Sequence, residues 1–314
     1  MTAALTRART KPRENPVWSL GGLRPRQLLR RVWVAIEHDS LLERASDLAY
    51  NSLLAIFPGL LLLLAILDLS GAHGPALQNN LLFAFSRTLP PSAFELVRRT
   101  LSEASENSGG TKLTLGLVVA LWAALSGMSS MISALNAAYR VRERRSWWRV
   151  RGIALGLTVA ISALVVSAIL VVFLGDRIAD FAGTVLHLEA IVVAGWKLLQ
   201  WVVALGFIVL SFSLIYYVGP DVERRHWHWL TPGSVCGVFL WFGAAFGFRA
   251  YLHLFNTYSK TYGSLGAVII LLIWLYVAGF AFLVGGEIDA TIHHAGAERR
   301  LQAGGEHQEG NIGV

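Results

Sequence analysis

Residues Tyr262 to Ala290 read YGSLGAVIILLIWLYVAGFAFLVGGEIDA. From Leu265 to Val284 twenty consecutive residues carry no charge, and at about 1.5 Å of rise each they make roughly 30 Å of helix, the thickness of a bilayer's hydrocarbon core. The stretch is a membrane span, and it closes on Gly285-Gly286-Glu287-Ile288-Asp289, with two carboxylates where the helix leaves the lipid. Tyr276 and Glu287 are separated by about 1100° of helical rotation, nearly three full turns, so they share a face with Phe280 and Leu283. That face is expected to point into protein.

The rest of the chain agrees with this class. Of 314 residues 54% are hydrophobic and 15% charged, against roughly 25% charged in soluble globular chains. Eleven Trp and eight Tyr suit a chain that crosses the headgroup region repeatedly. The net charge of +7 is distributed by topology, and no nucleic-acid partner is expected. A single cysteine, Cys236, lies in an apolar run, which leaves no intramolecular disulfide and no cysteine-based metal cluster. The first forty residues hold no signal-peptide type of apolar core.

Taken in order, residues 1–23 read as an irregular basic arm. From Pro25, Leu28, Leu29, Val32, Trp33 and Ile36 recur at helical spacing opposite Arg26, Arg30 and Arg31, the pattern of a helix lying in the membrane interface. Arm and helix form a cytoplasmic unit over 1–44. A six-span, all-α membrane domain is expected over 45–290, with spans near 45–69, 113–139, 152–174, 191–218, 232–255 and 262–290. Residues 71–111 make an external segment with two short amphipathic helices, one before Pro90 and one from Ser92 to about Glu106. Residues 291–314 are expected to form a cytoplasmic tail. Nineteen Lys and Arg fall on the side of the termini and seven on the other, with Arg249 inside the fifth span. The positive-inside rule therefore places both termini in the cytoplasm.

Polar groups inside spans are costly and mark candidate sites. Ser126, Ser129, Ser130, Ser133 and Asn136 fall within an arc of about 120° on the second span. They either line a solute path or pack helices closely through hydrogen bonds. Asp47 and Asn51 stand one turn apart on the first span, beside Tyr50 and on the side of Pro58, which should kink the helix. Either they bind a proton or cation, or Asp47 sits near the cytoplasmic surface and pairs with Arg44 or with a base from a neighbouring loop. Arg249, His253, Asn256 and Lys260 are spaced as one basic stripe at the outer end of the fifth span, suited to an anionic solute or lipid headgroup; snorkelling of Arg249 is the alternative.

Glu287 and Asp289 either gate the pathway against Arg140, Arg142 or Arg224 or form a structural ion pair. The small-residue spacings Gly233/Gly237, Gly243/Gly247 and Gly152/Gly156/Ala160 predict close helix contacts. His226-Trp227-His228 and His293-His294 lack a third metal ligand at defined spacing, so no metal, cofactor or catalytic residue is expected. No nucleotide-binding motif is present to drive transport, which leaves a gradient or a partner as the energy source. Three spans in each half leave a weak inverted duplication open.

Several blocks, in this order, resemble the YihY/BrkB family of bacterial inner-membrane proteins, formerly labelled ribonuclease BN. They are Ala49-Tyr50, Phe57-Pro58, Ala134-Leu135-Asn136-Ala137-Ala138-Tyr139, Trp147-Trp148, Tyr217, Gly219-Pro220, Trp229, Pro232-Gly233, Tyr262-Gly263-Ser264-Leu265-Gly266-Ala267 and Gly286-Glu287-Ile288-Asp289-Ala290. The match runs over roughly 30–292, and Gly285-Gly286-Glu287 stands where the family commonly has Gly-Ala-Glu. The resemblance implies six spans in a bacterial inner membrane with both termini inside, and leaves the activity open. The expected function is a transporter or permeation pathway for a small or anionic solute or lipid. A non-transporting envelope scaffold is second, and a membrane-bound ribonuclease is a distant third. The bilayer is the expected partner, and homo-oligomerisation stays open.

Overall fold

The computed structural model describes residues 17–69, 110–185, 190–222, 230–254 and 258–309, together with scattered helical positions between 79 and 102. Seven α-helices lie among the described residues: α1 (Pro25–His38), α2 (Leu41–Leu69), α3 (Gly110–Ala138), α4 (Trp147–Val185), α5 (Ala190–Val218), α6 (Pro232–Leu254) and α7 (Tyr258–Glu309). The all-α expectation holds. Among the described residues four stretches are long and apolar enough to cross a membrane: Trp147–Val172, Ala194–Val218, Pro232–Leu254 and Val268–Arg299. Their outer faces carry Val159, Leu198, Trp201, Phe239 and Phe246, all well exposed. A water-soluble monomer rarely leaves so much contiguous apolar surface uncovered.

Helix α7 is the centre of the molecule, packed against α1, α2, α3, α5, α6 and a 3-10 turn at Val17–Gly22. Its 52 residues make about 78 Å of helix, far more than a bilayer needs. Accordingly the helix continues past residue 290 to Glu309, through the segment expected as a separate tail. The excess is used for docking. Leu28 and Val32 of α1 are buried with Ile292, and Leu20, Leu23 and Ile288 close the cluster. Arg31 pairs with Glu298 at 2.9 Å, and Arg299 donates to the Gly22 carbonyl. A Cβ on Gly21 would stand 2.7 Å from the Ile292 carbonyl oxygen, and Gly21 is itself left-handed at φ +60°. Only glycine fits there. Residues 17–22, expected as part of an irregular arm, are thus a formed turn held on α7, while 1–16 lie outside the described residues.

The core is built where α2, α3, α5 and α7 converge. Leu41, Ala45 and Leu48 meet Ala134, Leu135, Ile215, Tyr216, Phe282 and Leu283, with Tyr276 and Phe280 packed alongside. The face through Tyr276, Phe280, Leu283 and Glu287 does point into protein. Ser40 at φ +52° and Arg140 at φ +53° are two of the non-glycine residues in the left-handed region. One turns α1 into α2 and the other ends α3, where Arg140 N donates to Ala137 O and Val141 N to Asn136 O.

Small-residue spacing proves to have two meanings. Gly233 and Gly237 touch Gly285, with a Cβ on Gly233 placed 2.3 Å from the Gly285 carbonyl oxygen. By contrast no described residue lies within 4 Å of a Cβ on Gly152, Gly156, Gly243 or Gly247, which corrects the close contacts expected there. The amphipathic helices expected in 71–111 fall largely outside the described residues, as do His226-Trp227-His228, Arg224 and Asn256.

Candidate functional site

The end of α7 is fixed by its neighbours before any chemistry is considered. Tyr216 is fully buried and donates to the Phe282 carbonyl at 2.5 Å, tying α5 to α7. Thr231 and Ser234 cap the start of α6 reciprocally: Thr231 N donates to Ser234 Oγ and Ser234 N to Thr231 Oγ1, both at 3.1 Å. Asp289 then reaches across from α7. Its Oδ2 accepts from Thr231 Oγ1 at 2.5 Å and its Oδ1 from Gly233 N at 2.8 Å. A carboxylate on the unpaired N–H groups of a helix start is doubly favourable, through hydrogen bonds and the helix dipole. Asp289 is the anchor of α6.

Glu287, two residues earlier, has the opposite surroundings. Its side chain is 2% exposed. One oxygen stands 3.5 Å from Thr291 Oγ1, one turn on, while Oε2 is buried and accepts no hydrogen bond from the described residues. The ionised groups that act on it are Asp39, from the α1–α2 turn, and Arg140, at the end of α3. The side chain of Asp39 is only 8% exposed, and its Oδ1 meets His38 Nδ1 at 2.8 Å. Its Oδ2 accepts no hydrogen bond and stands 3.5 Å from the Arg140 guanidinium. Tyr139 completes the floor, with its carbonyl 3.1 Å from His294 Nε2 and its ring edge-on to His293. An unpaired buried carboxyl oxygen costs about 1–3 kcal/mol, more when charged. Two left-handed residues, Ser40 and Arg140, flank this same spot, as strained backbone often does at sites of function.

A separate clamp closes the α3–α4 connection. Arg145 holds Glu143 through Nε and Nη2, both at 2.7 Å, and donates to the Gly219 carbonyl at 2.7 Å, where α5 ends. Asn136 gives its amide N–H to Glu143 Oε2 and takes the Asp221 N–H on its oxygen, both at 2.8 Å. The Arg145 guanidinium, with help from the Asn136 amide, holds the Glu143 carboxyl down at about 2. Asn136, expected on the polar path, is therefore committed at both ends to this clamp.

The other sequence candidates divide in the same way. Asn51 donates to Ser130 Oγ at 3.0 Å, joining α2 to α3, and to the Asp47 carbonyl at 2.9 Å. Asp47 and Ser133 are exposed. Arg44, a suggested partner for Asp47, instead donates to the Asp39 carbonyl. Ser126 and Ser129 bond the Trp122 and Leu125 carbonyls of their own helix and also receive Arg151 of α4, at 3.5 and 3.3 Å. Of the expected basic stripe, Asn256 lies outside the described residues. Arg249 and His253 are exposed on α6, which ends at Leu254, whereas Lys260 belongs to α7. Asp39 and Arg151 were missed because each reads in sequence as one more charge near a helix end.

A profile of the family described as "Virulence factor BrkB" matches residues 32–309. The chain belongs to the virulence factor BrkB family. The BrkB-type match includes every residue of the Asp39–Arg140–Glu287 site and the Asp289 anchor. Among curated relatives, a UPF0761 membrane protein of Tolumonas auensis is 29% identical over 286 residues, covering 89% of this chain and 90% of that protein. Another UPF0761 membrane protein, from Vibrio vulnificus, is 29% identical over 280 residues, 84% and 82% of the two chains. A Bacillus subtilis relative named as the ribonuclease-like protein YfkH is 31% identical over 250 residues, 80% and 89%. No solved structure matches. This BrkB-family chain is an integral membrane protein.

Proposed function

We propose that this protein is a transporter or permeation pathway for a small or anionic solute or a lipid, and that Glu287 is the group whose charge changes as the pathway works. The carrying observation is the buried Glu287 Oε2, which accepts no hydrogen bond while Asp39 holds a second such oxygen beside it. One proton shared by neighbouring carboxyl groups removes a like-charge repulsion and satisfies an orphaned acceptor. Losing that proton leaves a buried charge that only movement of Arg140, or arrival of a cation, relieves. A group in this position couples its proton to the local conformation.

In this reading α2 and α3 are the first two of six spans, α4 to α7 supply the rest, and both termini lie on the cytoplasmic face of a bacterial inner membrane. The positive-inside count supports that orientation. The protein is read as a non-enzyme driven by a gradient. The scaffold reading has one feature in its favour: α1 buries Leu28 and Val32 yet leaves Leu29 and Trp33 exposed beside its arginines, a face suited to headgroups or a partner. The ribonuclease-like name of the B. subtilis relative supplies a third reading.

Flux into sealed vesicles across a panel of anions, cations and labelled anionic lipids tests the proposal. Movement specific to vesicles containing the protein is expected, and no movement of any member, under either sign of pH gradient, would transfer support to the scaffold. Hydrolysis of RNA by the same purified protein would support the enzyme instead.

A further inference from the structure

Arg151 is not used by the site described above, and its surroundings are unusual for a membrane arginine. It projects from the start of α4 toward α3, half-buried, with its guanidinium carbon 5.1 Å from the Trp122 ring centre and 5.3 Å from that of Trp147. Nη1 makes two long contacts, to Ser129 Oγ at 3.3 Å and Ser126 Oγ at 3.5 Å. Both hydroxyls already donate to carbonyls of their own helix, so they can only accept. Among the described residues no carboxylate pairs with Arg151, and Nε and Nη2 have no acceptor. A guanidinium carries five N–H donors in a planar fork that matches two oxygens of a phosphate. Here the ring contacts hold the fork in place while most of its donors stay unused.

The groove opens toward the apolar side of the molecule. Trp122 is 59% and Trp147 50% exposed, and Trp148 packs edge-on against Trp147. One and two turns along α4 from Arg151, Leu155 and Val159 are exposed on the same helical face. A charged fork framed by tryptophans, with an apolar track leading from it, has the shape of a phospholipid: phosphate at one end and acyl chain along the other. We propose that the α3–α4 groove binds an anionic phospholipid from the surrounding bilayer, its phosphodiester on Arg151 between Trp122 and Trp147 and an acyl chain over Leu155 and Val159. Positive charge between spans near the cytoplasmic leaflet, which is the anionic one, favours this occupant over a zwitterionic lipid. The aromatic faces add cation–π attraction that fixes the arginine whether or not lipid is bound. This inference does not depend on the protein being a transporter.

Native mass spectrometry of the full chain, released from micelles doped with phosphatidylglycerol or phosphatidylcholine, tests it. The wild type should retain one phosphatidylglycerol in preference to phosphatidylcholine. Arg151→Gln should weaken that binding at least tenfold, while Arg149→Gln, at an exposed neighbour, should leave it within twofold. Trp122→Leu keeps the charge, loses one ring and should bind several-fold more weakly, which provides a second readout should Arg151→Gln fail to fold. Equal retention of the two lipids, binding unchanged in both Arg151→Gln and Trp122→Leu, or equal loss in Arg149→Gln would each overturn the proposal. Displacement of the lipid by millimolar inorganic phosphate would make this a site for free anions and overturn it as well.

Discussion

Glu287 and Asp289 stand two residues apart on one helix, and their carboxyl groups have opposite surroundings: Asp289 takes hydrogen bonds from Thr231 Oγ1 and Gly233 N, while Glu287 keeps a buried oxygen with none. The difference comes from α6. Its N-terminus arrives at the level of Asp289 and supplies donors there, whereas Glu287 faces the α1–α2 turn and the end of α3, where Asp39 is another acceptor. One acid is satisfied by the helix it anchors and the other is left with a buried oxygen that no described donor reaches.

Removing the anchor should therefore cost stability in a way that depends on its partner. Asp289→Ala leaves the start of α6 without its carboxylate and should destabilise by about 2 kcal/mol, with Thr231→Val costing about 1 kcal/mol. The double variant should fall short of the sum, because both changes delete the same hydrogen bond. Thermal unfolding in detergent measures this, and strict additivity would contradict the direct contact.

The two classes of glycine predict opposite signs. A Cβ on Gly285 would lie 2.5 Å from the Tyr216 hydroxyl and 2.7 Å from Gly237 Cα. Gly285→Ala should thus destabilise by about 3 kcal/mol through overpacking. Gly243→Ala meets nothing within 4 Å and should gain up to about 1 kcal/mol of helix propensity. A melting-temperature comparison of the two variants suffices.

The clamp at the α3–α4 connection sets an acid limit on stability. The Glu143 carboxyl sits at about 2, below its ordinary 4.5, chiefly because of Arg145. A group lowered in the folded state contributes fully above its unfolded value and loses that contribution as pH falls toward its folded value. The clamp's own contribution should be constant above about pH 5 and be lost between about 4.5 and 2, amounting to ~1 kcal/mol once solvent screening of this part-exposed pair is allowed for. Glu143→Gln should remove that part of the decline. An unaltered acid profile in the variant would show that the pair contributes nothing.

How much of this could be read from residues alone follows physical lines. The span ending at Val284 and the face through Tyr276 and Glu287 were legible, because length, apolarity and helical period are properties of one segment. Which of Glu287 and Asp289 is satisfied was not, since that depends on where α6 begins against α7. Gly233/Gly237 and Gly243/Gly247 have the same spacing on one helix, yet among the described residues only the first pair meets a neighbour. Asp39 sits in a turn whose left-handed Ser40 gives no sequence signal. Arg151 is not legible as more than one cytoplasmic-side charge, because the positive-inside rule registers a charge and says nothing about the rings around it. Asn136 was legible as buried and polar, but its commitment to Glu143 and Asp221 needs three segments to be brought together.

In the proposed pathway Glu287 is kept for function at some expense to the fold, and one preparation tests this. Glu287→Gln replaces an orphaned acid with a neutral amide whose N–H groups can meet Asp39, so its melting temperature in detergent should equal or exceed that of the wild type. The same protein in sealed vesicles should lack the flux expected of the wild type. A Glu287→Gln protein that melts several degrees lower yet moves solute at the wild-type rate would mean that Glu287 is a structural residue, and the account would be wrong.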